Sequence, residues 1–380
     1  MSSRKKFLIV TSNDYLIYQP TILGIYDFLV PHFDVTIISF EPHFVSKEKD
    51  KTRAVNYIKI PKPVRFIVQN LDSIFLKGIN KFKFLNSPNR TGHTLFHRLQ
   101  MVYLKKALKK FNPDRILAVD ISSLFIVQSL FPSSDFLSLE IYPDDPFQKN
   151  IDINKIDAVV IQNKERFSYL FGHQQLTTFY VQNAPVFFGP PKNSTKRENL
   201  IWAGSILRRF SVLDCIEFVE HFPAFKLVLK GGGEQKTLQF IKERYQNLIE
   251  SKRLVIDQNY LSADQFINYL SNYRIGFCFY SWDLIRSSIN YQTAPSGKVF
   301  MYLAAGVPVI ACDIPGFAFI KDFNAGVLIK DYNPNTIKAA LDTIEKNYQL
   351  YQMGCFEAAA YFSFDRSVEA YVKYVQASIE

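Results

Sequence analysis

The chain has 380 residues, of which 48% are hydrophobic and 21% charged, with a formal net charge of +10. Because this length exceeds that of a domain with a single hydrophobic core, we expect two domains. The composition excludes global disorder. No apolar run is long enough to span a bilayer, and the N-terminus lacks the pattern of a signal peptide. The four cysteines form no CxxC or Cys/His cluster, which predicts a reduced, metal-free protein of the cytoplasm.

The first half of the chain alternates apolar runs with helical patterns. The runs cover residues 7–12, 35–40, 115–119, 136–139 and 158–162, and a helical pattern extends from Gln19 to Leu29. Strands rich in Val, Ile and Phe that are separated by helices predict a parallel sheet covered on both faces, as in a Rossmann-like domain. After Val181, prolines, a glycine and polar residues interrupt all periodicity, so we expect a linker near residues 183–198.

A second series of apolar runs follows this linker. It covers residues 200–204, 225–233, 253–258, 275–280, 307–312 and 326–329. Ser211 with Asp214 and Ser262 with Gln265 have the spacing of capping boxes, which predicts two helix starts. From about Asn335 to Ser378 the pattern predicts two or three amphipathic helices.

The segment from Ser296 to Gly316 is the most informative part of the chain. A turn of small residues opens a helix that ends at Gly306, before a buried strand. Backbone amides at the helix start, the helix dipole and Lys298 together predict an anion site suited to a diphosphate. A Walker phosphate loop does not fit, because Val299 stands where that motif requires Ser or Thr.

The motifs of the second half occur in a recognisable order: WAGS, KGGG, NYLSADQFINYLSNYRIGFCFY, SGKVFMYLAAGVPVIA, FNAGVLI and FSFDRSVEAYVKYV. Over roughly Asn199 to Val375 this order resembles the donor domain of glycosyltransferases of the GT-B fold, in particular family 4 and its bacterial surface-polysaccharide type. The resemblance implies an α/β chain with two Rossmann-like domains facing a cleft. The acceptor domain would span 1–185, the donor domain 199–362, and a final helix, about 363–380, would pack back on the first domain.

The same resemblance implies an activity. The chain would be a hexosyltransferase of polysaccharide biosynthesis that moves a sugar from a nucleotide-diphosphate sugar, of the UDP or GDP type, to a glycan or lipid-linked acceptor. It would retain the configuration of the anomeric carbon and use no metal and no other cofactor.

The resemblance also implies a donor site. The pyrophosphate would contact the residues after the first donor strand, with the glycines of the next loop allowing close approach of backbone to ligand. The base would lie near Asn259 with Tyr260 beside it, and hydroxyls before the helix would contact phosphate or sugar. The donor-binding residues are then Gly204, Ser205, Arg208, Arg209, Lys230, Gly231, Gly232, Tyr260, Leu261, Thr293, Ser296, Gly297 and Lys298. Each group also has an interpretation without a ligand. Arg208 and Arg209 could be exposed arginines before a helix, and the glycines could form a tight loop. Tyr260 could be a core tyrosine, and the hydroxyls of Thr293 and Ser296 could form turns.

The sequence departs from the family at one important place. The family has two glutamates separated by seven residues, the second of which binds the ribose hydroxyls, and the matching positions here are Thr293 and Met301. A thioether is a poor hydrogen-bond acceptor, so the ribose must be recognised differently or donor binding has decayed. The departure supports an alternative hypothesis, in which the protein is a binding or scaffold subunit with an impaired donor site. A third hypothesis is a nucleotide-sugar epimerase, but such an enzyme needs several acid/base residues in its cleft and the sequence offers too few.

Two acids of the first half are candidate catalytic residues. Glu140 and Asp14 each follow a predicted strand, at the edge where ligands gather in open α/β sheets. Either carboxylate could orient an acceptor hydroxyl, or act as a general base if the reaction inverts; the alternative is a solvated or helix-capping acid. Asp144 and Asp145 do not form an Asp-x-Asp metal motif, and no metal site is predicted.

Residues 59–111 form a basic segment. They contain nine Lys and three Arg against one acid, Asp72, and interleave Phe66, Phe75, Phe82, Phe84, Phe96 and Phe111. Such a surface is attracted to an anionic membrane and anchored there by aromatic rings. No nucleic-acid module is recognisable and the charge lies in the expected acceptor domain, so a lipid-linked or acidic glycan acceptor is preferred to nucleic acid. A lipid-linked acceptor would place the protein peripherally at the inner face of the membrane; the alternative for the segment is a solvated helical face over core phenylalanines.

Overall fold

A computed structural model describes residues 4–42, 49–80, 95–142, 145, 147–191, 197–293 and 296–379, and side-chain placements within it exclude 73–80 and 263–264. The chain divides into two compact units, Met1–Val181 with Ser367–Glu380, and Gln182–Arg366. The division falls after Val181, so residues 182–185, expected in the first domain, are grouped with the second unit.

The first unit is built on a seven-stranded parallel sheet of order β3-β2-β1-β4-β5-β6-β7. The strands are β1 (Lys6–Thr11), β2 (Asp34–Phe40), β3 (Val55–Ile58), β4 (Arg115–Val119), β5 (Ser134–Leu137), β6 (Ile156–Ile161) and β7 (Thr178–Tyr180). Its helices are α1 (Pro20–Leu29), α2 (Lys62–Asn80), α3 (Leu95–Leu108), α4 (Asp120–Gln128) and α5 (Lys164–Phe171). The central strands are buried over most of their length because helices cover the sheet.

The second unit contains a six-stranded parallel sheet of order β10-β9-β8-β11-β12-β13. Its strands are β8 (Glu198–Ala203), β9 (Leu227–Lys230), β10 (Leu254–Asp257), β11 (Tyr273–Cys278), β12 (Val309–Cys312) and β13 (Gly326–Ile329). The helices are α6 (Val212–His221), α7 (Gln235–Arg244), α8 (Gln246–Glu250), α9 (Ala263–Leu270), α10 (Trp282–Ser287), α11 (Ile289–Thr293), α12 (Gly297–Ala304), α13 (Phe319–Asp322), α14 (Pro334–Lys346) and α15 (Tyr348–Tyr361). The last helix, α16 (Phe364–Ile379), begins at the end of this unit and belongs to the first unit from Ser367 onward. Neighbouring residues of β8 belong to cores on opposite faces, Trp202 with α6 and Ile201 with α12.

In each sheet the order in which successive strands are added reverses once, beside the first strand. This topological switch point lies between β1 and β4 in the first unit and between β8 and β11 in the second. Open α/β sheets bind ligands at the carboxyl ends of the strands at such a point. The topology therefore defines one place to look for function in each unit.

The predicted α/β architecture of two parallel-sheet units is confirmed, as are the closing helices α14 to α16. Ser262 and Gln265 form the predicted capping box at α9. The capping box at Ser211 is wrong: α6 starts beside this residue, but no side-chain cap hydrogen bond forms. The physical reason is the left-handed backbone of Ser211 (φ 55°), whose amide instead donates to the Arg208 carbonyl and closes the preceding turn.

The last helix contributes to the first unit through a buried polar contact. Tyr371 on α16 donates to the carboxylate of Asp135 (2.9 Å), which also pairs with Arg115 (2.7 Å). Within the described part of the chain, no helix combines the length and the apolar character needed to cross a membrane.

Candidate active-site residues in the two units

Two glycine turns form the carboxyl edge of the second sheet at β8 and β9. Gly204 has φ +123° and Gly231 has φ +142°. The Gly204 amide donates to the Lys230 carbonyl (2.8 Å), and a Cβ on Gly231 would lie 2.2 Å from the Gly204 carbonyl oxygen. The two backbones are therefore in direct contact, and only glycine permits this approach at position 231.

Three cations border this glycine edge. Arg208 and Arg209 lie in a short 3₁₀ turn, Arg208–Phe210, and are exposed, while Lys298 lies in the first turn of α12. The Lys298 ammonium is 3.9 Å from the centre of the Trp202 ring, and its stem is 3.5 Å from where a Gly204 Cβ would be. Among the described residues, none of the three cations has a carboxylate partner. This leaves positive charge available to an anion.

Buried contacts fix the helix that carries Lys298. Tyr302 of α12 is fully buried and accepts a hydrogen bond from the Ala203 amide at the end of β8 (2.6 Å). Its ring lies against Gly276 of β11, where a Cβ would be 2.8 Å away. The start of α12 is thereby held at the β8–β11 switch point, with its first free amides at the same edge as the cations.

The 3₁₀ turn is held to the same edge through its backbone. The Ser281 amide, directly before α10, donates to the Arg209 carbonyl (3.0 Å).

Ser205 is exposed beside the turn. Ser296 stands at the N-cap of α12 without a side-chain hydrogen bond to the helix amides. Gly297 packs against the Asn183 side chain, whose Nδ2 would lie 2.9 Å from a Cβ at that glycine. The structure therefore brings these predicted donor residues together with Gly204 and Lys298.

Lys230 differs from the other predicted phosphate contacts. It is 3% exposed, and its ammonium pairs with Asp257 (2.9 Å) and donates to the Asn259 carbonyl (2.8 Å). Asp257 also accepts from the Asn259 amide (3.0 Å) and the Tyr269 hydroxyl (3.0 Å). Partial burial opposes ionisation, but these donors hold the pKa of Asp257 below its usual value. The charge of Lys230 is therefore used to fix the loop after β10.

Tyr260 lies on that fixed loop and is 92% exposed. The alternative of a core tyrosine is thus wrong, and the ring is available for stacking. Leu261 beside it is half-buried, and Gly232, in the neighbouring loop, has open space where a Cβ would be.

The two positions of the missing glutamates are integrated into the protein interior. Thr293 is 4% exposed, its hydroxyl donates to the Ile289 carbonyl (2.7 Å), and Gly316 packs on its backbone. Met301 is half-buried against the apolar core on the α12 face. The Thr293 hydroxyl, predicted to contact the donor, instead closes α11.

Three acids lie at the carboxyl ends of neighbouring strands in the first unit. Asp14 follows β1, Asp120 follows β4 and Glu140 follows β5. Asp120 was missed in the sequence, although a Val-Asp pair at the end of a predicted strand was a usable signal. It is 8% exposed, and its Oδ1 accepts from the amides of Leu139 (2.8 Å) and Glu140 (3.0 Å).

Burial and mutual repulsion shift the ionisation of this acidic group. Burial raises the pKa of Asp120 to about 6, although amides and Arg166 oppose the rise. Glu140 keeps an exposed surface, but loss of hydration around its carboxyl, followed by the charge of Asp120, raises its pKa to about 7. Burial, Asp120, Glu140 and Asp14, in that order, raise the pKa of Tyr15. A carboxyl that exchanges its proton near neutral pH is suited to acid/base work.

No group of three His, Cys, Asp or Glu side chains that could hold a metal occurs within the described ranges. Asp145 accepts from the Phe147 amide (2.9 Å) in a turn, and Asp144 lies outside the described residues.

The basic segment is described in two helices, α2 and α3. Phe66 (68% exposed) and Ile67 (58%) project from α2, and Val102 (63%) from α3. Asp72 accepts from the amides of Leu95 (2.7 Å) and Phe96 (2.9 Å), joining the two helices. Phe96 and Phe111 instead pack against the core, while Phe82 and Phe84 lie outside the described residues, as does the side chain of Phe75.

Comparison with solved structures decides the fold. A glycosyltransferase from Rickettsia africae matches with a TM-score of 0.66 at 14% identity, over 99% of this chain and 98% of that one. Sucrose-phosphate synthase from Thermosynechococcus elongatus matches with a TM-score of 0.63 at 13% identity, over 98% and 97%. The chain has the GT-B fold.

A third GT-B structure, HepE from Anabaena in complex with UDP and glucose, matches with a TM-score of 0.61 at 12% identity, over 99% of both chains. The sequence matches no protein-family model and no curated protein. At these identities the likeness establishes the GT-B fold and does not assign family 4.

Proposed function

We propose that this protein is a glycosyltransferase that moves a sugar from a nucleotide-diphosphate sugar to a glycan or lipid-linked acceptor in polysaccharide biosynthesis. The observation that carries the proposal is the set of three cations without carboxylate partners, Arg208, Arg209 and Lys298, at the glycine edge of a GT-B sheet. Two proteins of the same fold support a UDP donor: HepE was solved with UDP and glucose, and a trehalose-6-phosphate protein from E. coli with UDP-2-fluoro glucose.

The cations suit the charge that develops when the sugar leaves. As the bond from the anomeric carbon to the diphosphate breaks, negative charge grows on the leaving oxygen. Arginine forks and the Lys298 ammonium, with the first amides of α12, would stabilise that charge without a metal. Lys298 is already held over the Trp202 ring, so little reorganisation is needed when the donor binds.

The loop after β10 would receive the base. The exposed ring of Tyr260 offers a stacking surface, and the Lys230–Asp257 pair holds the preceding residue by both its amide and its carbonyl. Base stacking on an aromatic ring contributes roughly 1–3 kcal/mol. Because positions 293 and 301 carry no acid, the ribose would be recognised from this loop instead.

Glu140 and Asp14 would serve the acceptor. If the reaction inverts the anomeric centre, Glu140 would take the proton of the attacking hydroxyl as the new bond forms. If it retains the configuration, as the resemblance implies, Glu140 would orient that hydroxyl by accepting its hydrogen bond. In both cases the ionised form is the active one, and the pKa of about 7 sets the pH at which it appears.

The decisive experiment is calorimetric titration of the full chain with UDP, GDP, ADP and CDP. We expect micromolar binding of one nucleotide, and loss of that binding in Arg209→Ala and Lys298→Ala. Lys242→Ala, which removes one exposed positive charge near the end of α7, is the matched control and should bind like the wild type. No binding to any nucleotide would overturn the donor site and favour the scaffold reading that Thr293 and Met301 suggest.

We further propose that α2 and α3 lie against an anionic bilayer when the protein works on a lipid-linked acceptor at the inner face of the membrane. Phe66, Ile67 and Val102 are exposed apolar side chains, and exposed lysines accompany them at Lys62 and Lys106. Apolar insertion and attraction to anionic lipid act together on such a surface.

Vesicle sedimentation tests this surface. The full chain should bind vesicles that contain phosphatidylglycerol and not vesicles of phosphatidylcholine alone. Phe66→Ser with Ile67→Ser should weaken binding about tenfold, whereas Met353→Ser, an equally exposed site on α15 (59%), should have no effect. Equal binding by both variants would remove α2 from the proposal.

A further inference from the structure

Asp120 occupies an unusual backbone position at the switch point of the first unit. Its φ is +59°, in the left-handed region that favours glycine, at the junction of β4 and α4. Asparagine and aspartate tolerate this region better than other side chains, but the conformation is still unfavourable relative to glycine. A carboxylate placed at such a position has to be stabilised by its contacts.

Those contacts converge on the backbone of Leu139 and Glu140. Asp120 Oδ1 accepts from both amides, at 2.8 and 3.0 Å. On the opposite side, Arg166 of α5, which is fully buried, donates to the Leu139 carbonyl (2.8 Å). Two buried charges of opposite sign therefore clamp the peptide that precedes Glu140.

The same junction is tied to the end of β1. The Ser12 amide donates to the Ser123 hydroxyl in the first turn of α4 (2.9 Å), so the carboxyl edges of β1, β4 and β5 are connected through α4. A displacement of Asp120 would move the Glu140 backbone and loosen this edge.

Building on the proposed role of Glu140, we propose that Asp120 is its positioning residue, which holds the Glu140 backbone at the carboxyl end of β5 and places a second negative charge beside its carboxyl. Other charged or titratable groups face this pair, namely Arg166 from α5 and Asp14 and Tyr15 from the segment after β1. The hydrogen bonds make Asp120 a control on where the Glu140 backbone lies, and the charge of Asp120 acts on the pH at which the Glu140 carboxyl loses its proton.

Two substitutions separate these effects. Asp120→Asn keeps an oxygen at the Oδ1 position, and so keeps both amide contacts, but removes the charge. Asp120→Gly relieves the left-handed backbone and removes both the contacts and the charge. Circular dichroism establishes that each variant is folded, and Glu140→Gln identifies the Glu140 signal in carbon NMR spectra of labelled side-chain carboxyls.

The carbon NMR titration needs no knowledge of the substrate. In the wild type the Glu140 carboxyl should titrate near neutral pH, and in Asp120→Asn its midpoint should fall by about one pH unit, because a like charge has been removed. An unchanged midpoint in Asp120→Asn would overturn the inference. This result stands whether or not the protein transfers sugars, so failure of the proposed function remains distinguishable.

Kinetics provide the second readout once a donor is known. Asp120→Asn should shift the pH midpoint of kcat downward in parallel with the titration and leave the nucleotide Kd unchanged. Asp120→Gly should lower kcat at least tenfold, again with an unchanged nucleotide Kd, because its effect lies in the first unit. A kcat for Asp120→Gly equal to that of the wild type would show that Glu140 needs no positioning by this carboxylate.

Discussion

Replacing Gly231 by alanine tests the glycine edge of the proposed donor site. At φ +142° an L side chain is strained, and the new Cβ would lie 2.2 Å from the Gly204 carbonyl oxygen and 2.9 Å from its carbon. An ordinary carbon–oxygen contact is about 3.3 Å, so Gly204 must move by roughly 1 Å or the β9 turn must shift. The backbone strain alone costs about 1–3 kcal/mol, and the movement reaches the turn that carries Arg208 and Arg209.

Urea unfolding and nucleotide calorimetry measure the two consequences. We expect Gly231→Ala to lower the free energy of unfolding by about 2–4 kcal/mol and to weaken nucleotide binding at least tenfold. Gly232→Ala is the control, because nothing lies within 4 Å of its new Cβ and its φ is not in the left-handed region; its unfolding free energy should stay within about 0.5 kcal/mol of wild type. If the two variants unfold and bind alike, the close approach of the two turns is not what shapes the site.

Three further predictions follow from the described contacts. Lys230→Met leaves Asp257 without its cation, so the free energy of unfolding should fall by about 2 kcal/mol, a value reduced for the partial exposure of Asp257. Nucleotide affinity should fall as well, because the pair fixes the loop after β10. Unchanged affinity would show that this loop is not part of the nucleotide site. Tyr260→Ala should leave the thermal midpoint unchanged, because the ring is 92% exposed, but weaken nucleotide binding at least fivefold. The raised pKa of Glu140 favours proton uptake by the folded protein, so its contribution to stability is present at low pH and lost as the pH rises through 7. The thermal unfolding midpoint of Glu140→Gln should therefore fall less between pH 5 and pH 8 than the thermal unfolding midpoint of the wild type. An identical fall in the two proteins would contradict the raised pKa of Glu140.

The fold was predictable because each main strand is a short apolar run bounded by turn residues. The runs at residues 115–119 and 200–204, for example, coincide with β4 and nearly with β8. The short edge strands β3 and β7 were missed, since their residues are only partly buried and carry a weak pattern. Ser211 shows a different limit, because capping-box spacing does not reveal that the backbone at the cap is left-handed.

The proposed donor site could be predicted only in part from the sequence. Arg208, Arg209 and Lys298 adjoin a glycine turn or a helix start, so local sequence is enough to nominate them. Lys230 has the same local sequence pattern, yet its ammonium forms an ion pair with Asp257 on the neighbouring strand. Sequence spacing does not show that pairing, because it depends on the register of β9 against β10, where Lys230 lies directly opposite Asp257.

The interior contacts of Thr293 and Met301 give a structural reason for their departure from the family pattern that the sequence resembles. A glutamate at position 293 would have to be placed where the residue is 4% exposed and where Gly316 packs on its backbone, and an unpaired carboxylate there would be costly. Met301 meanwhile extends an apolar core. These two positions therefore serve the packing of α11 and α12, and in the proposed function the nucleoside would be recognised elsewhere at this edge. The loop of Asn259 and Tyr260 is suited to that task, because the Lys230–Asp257 pair has already fixed its backbone before a ligand binds.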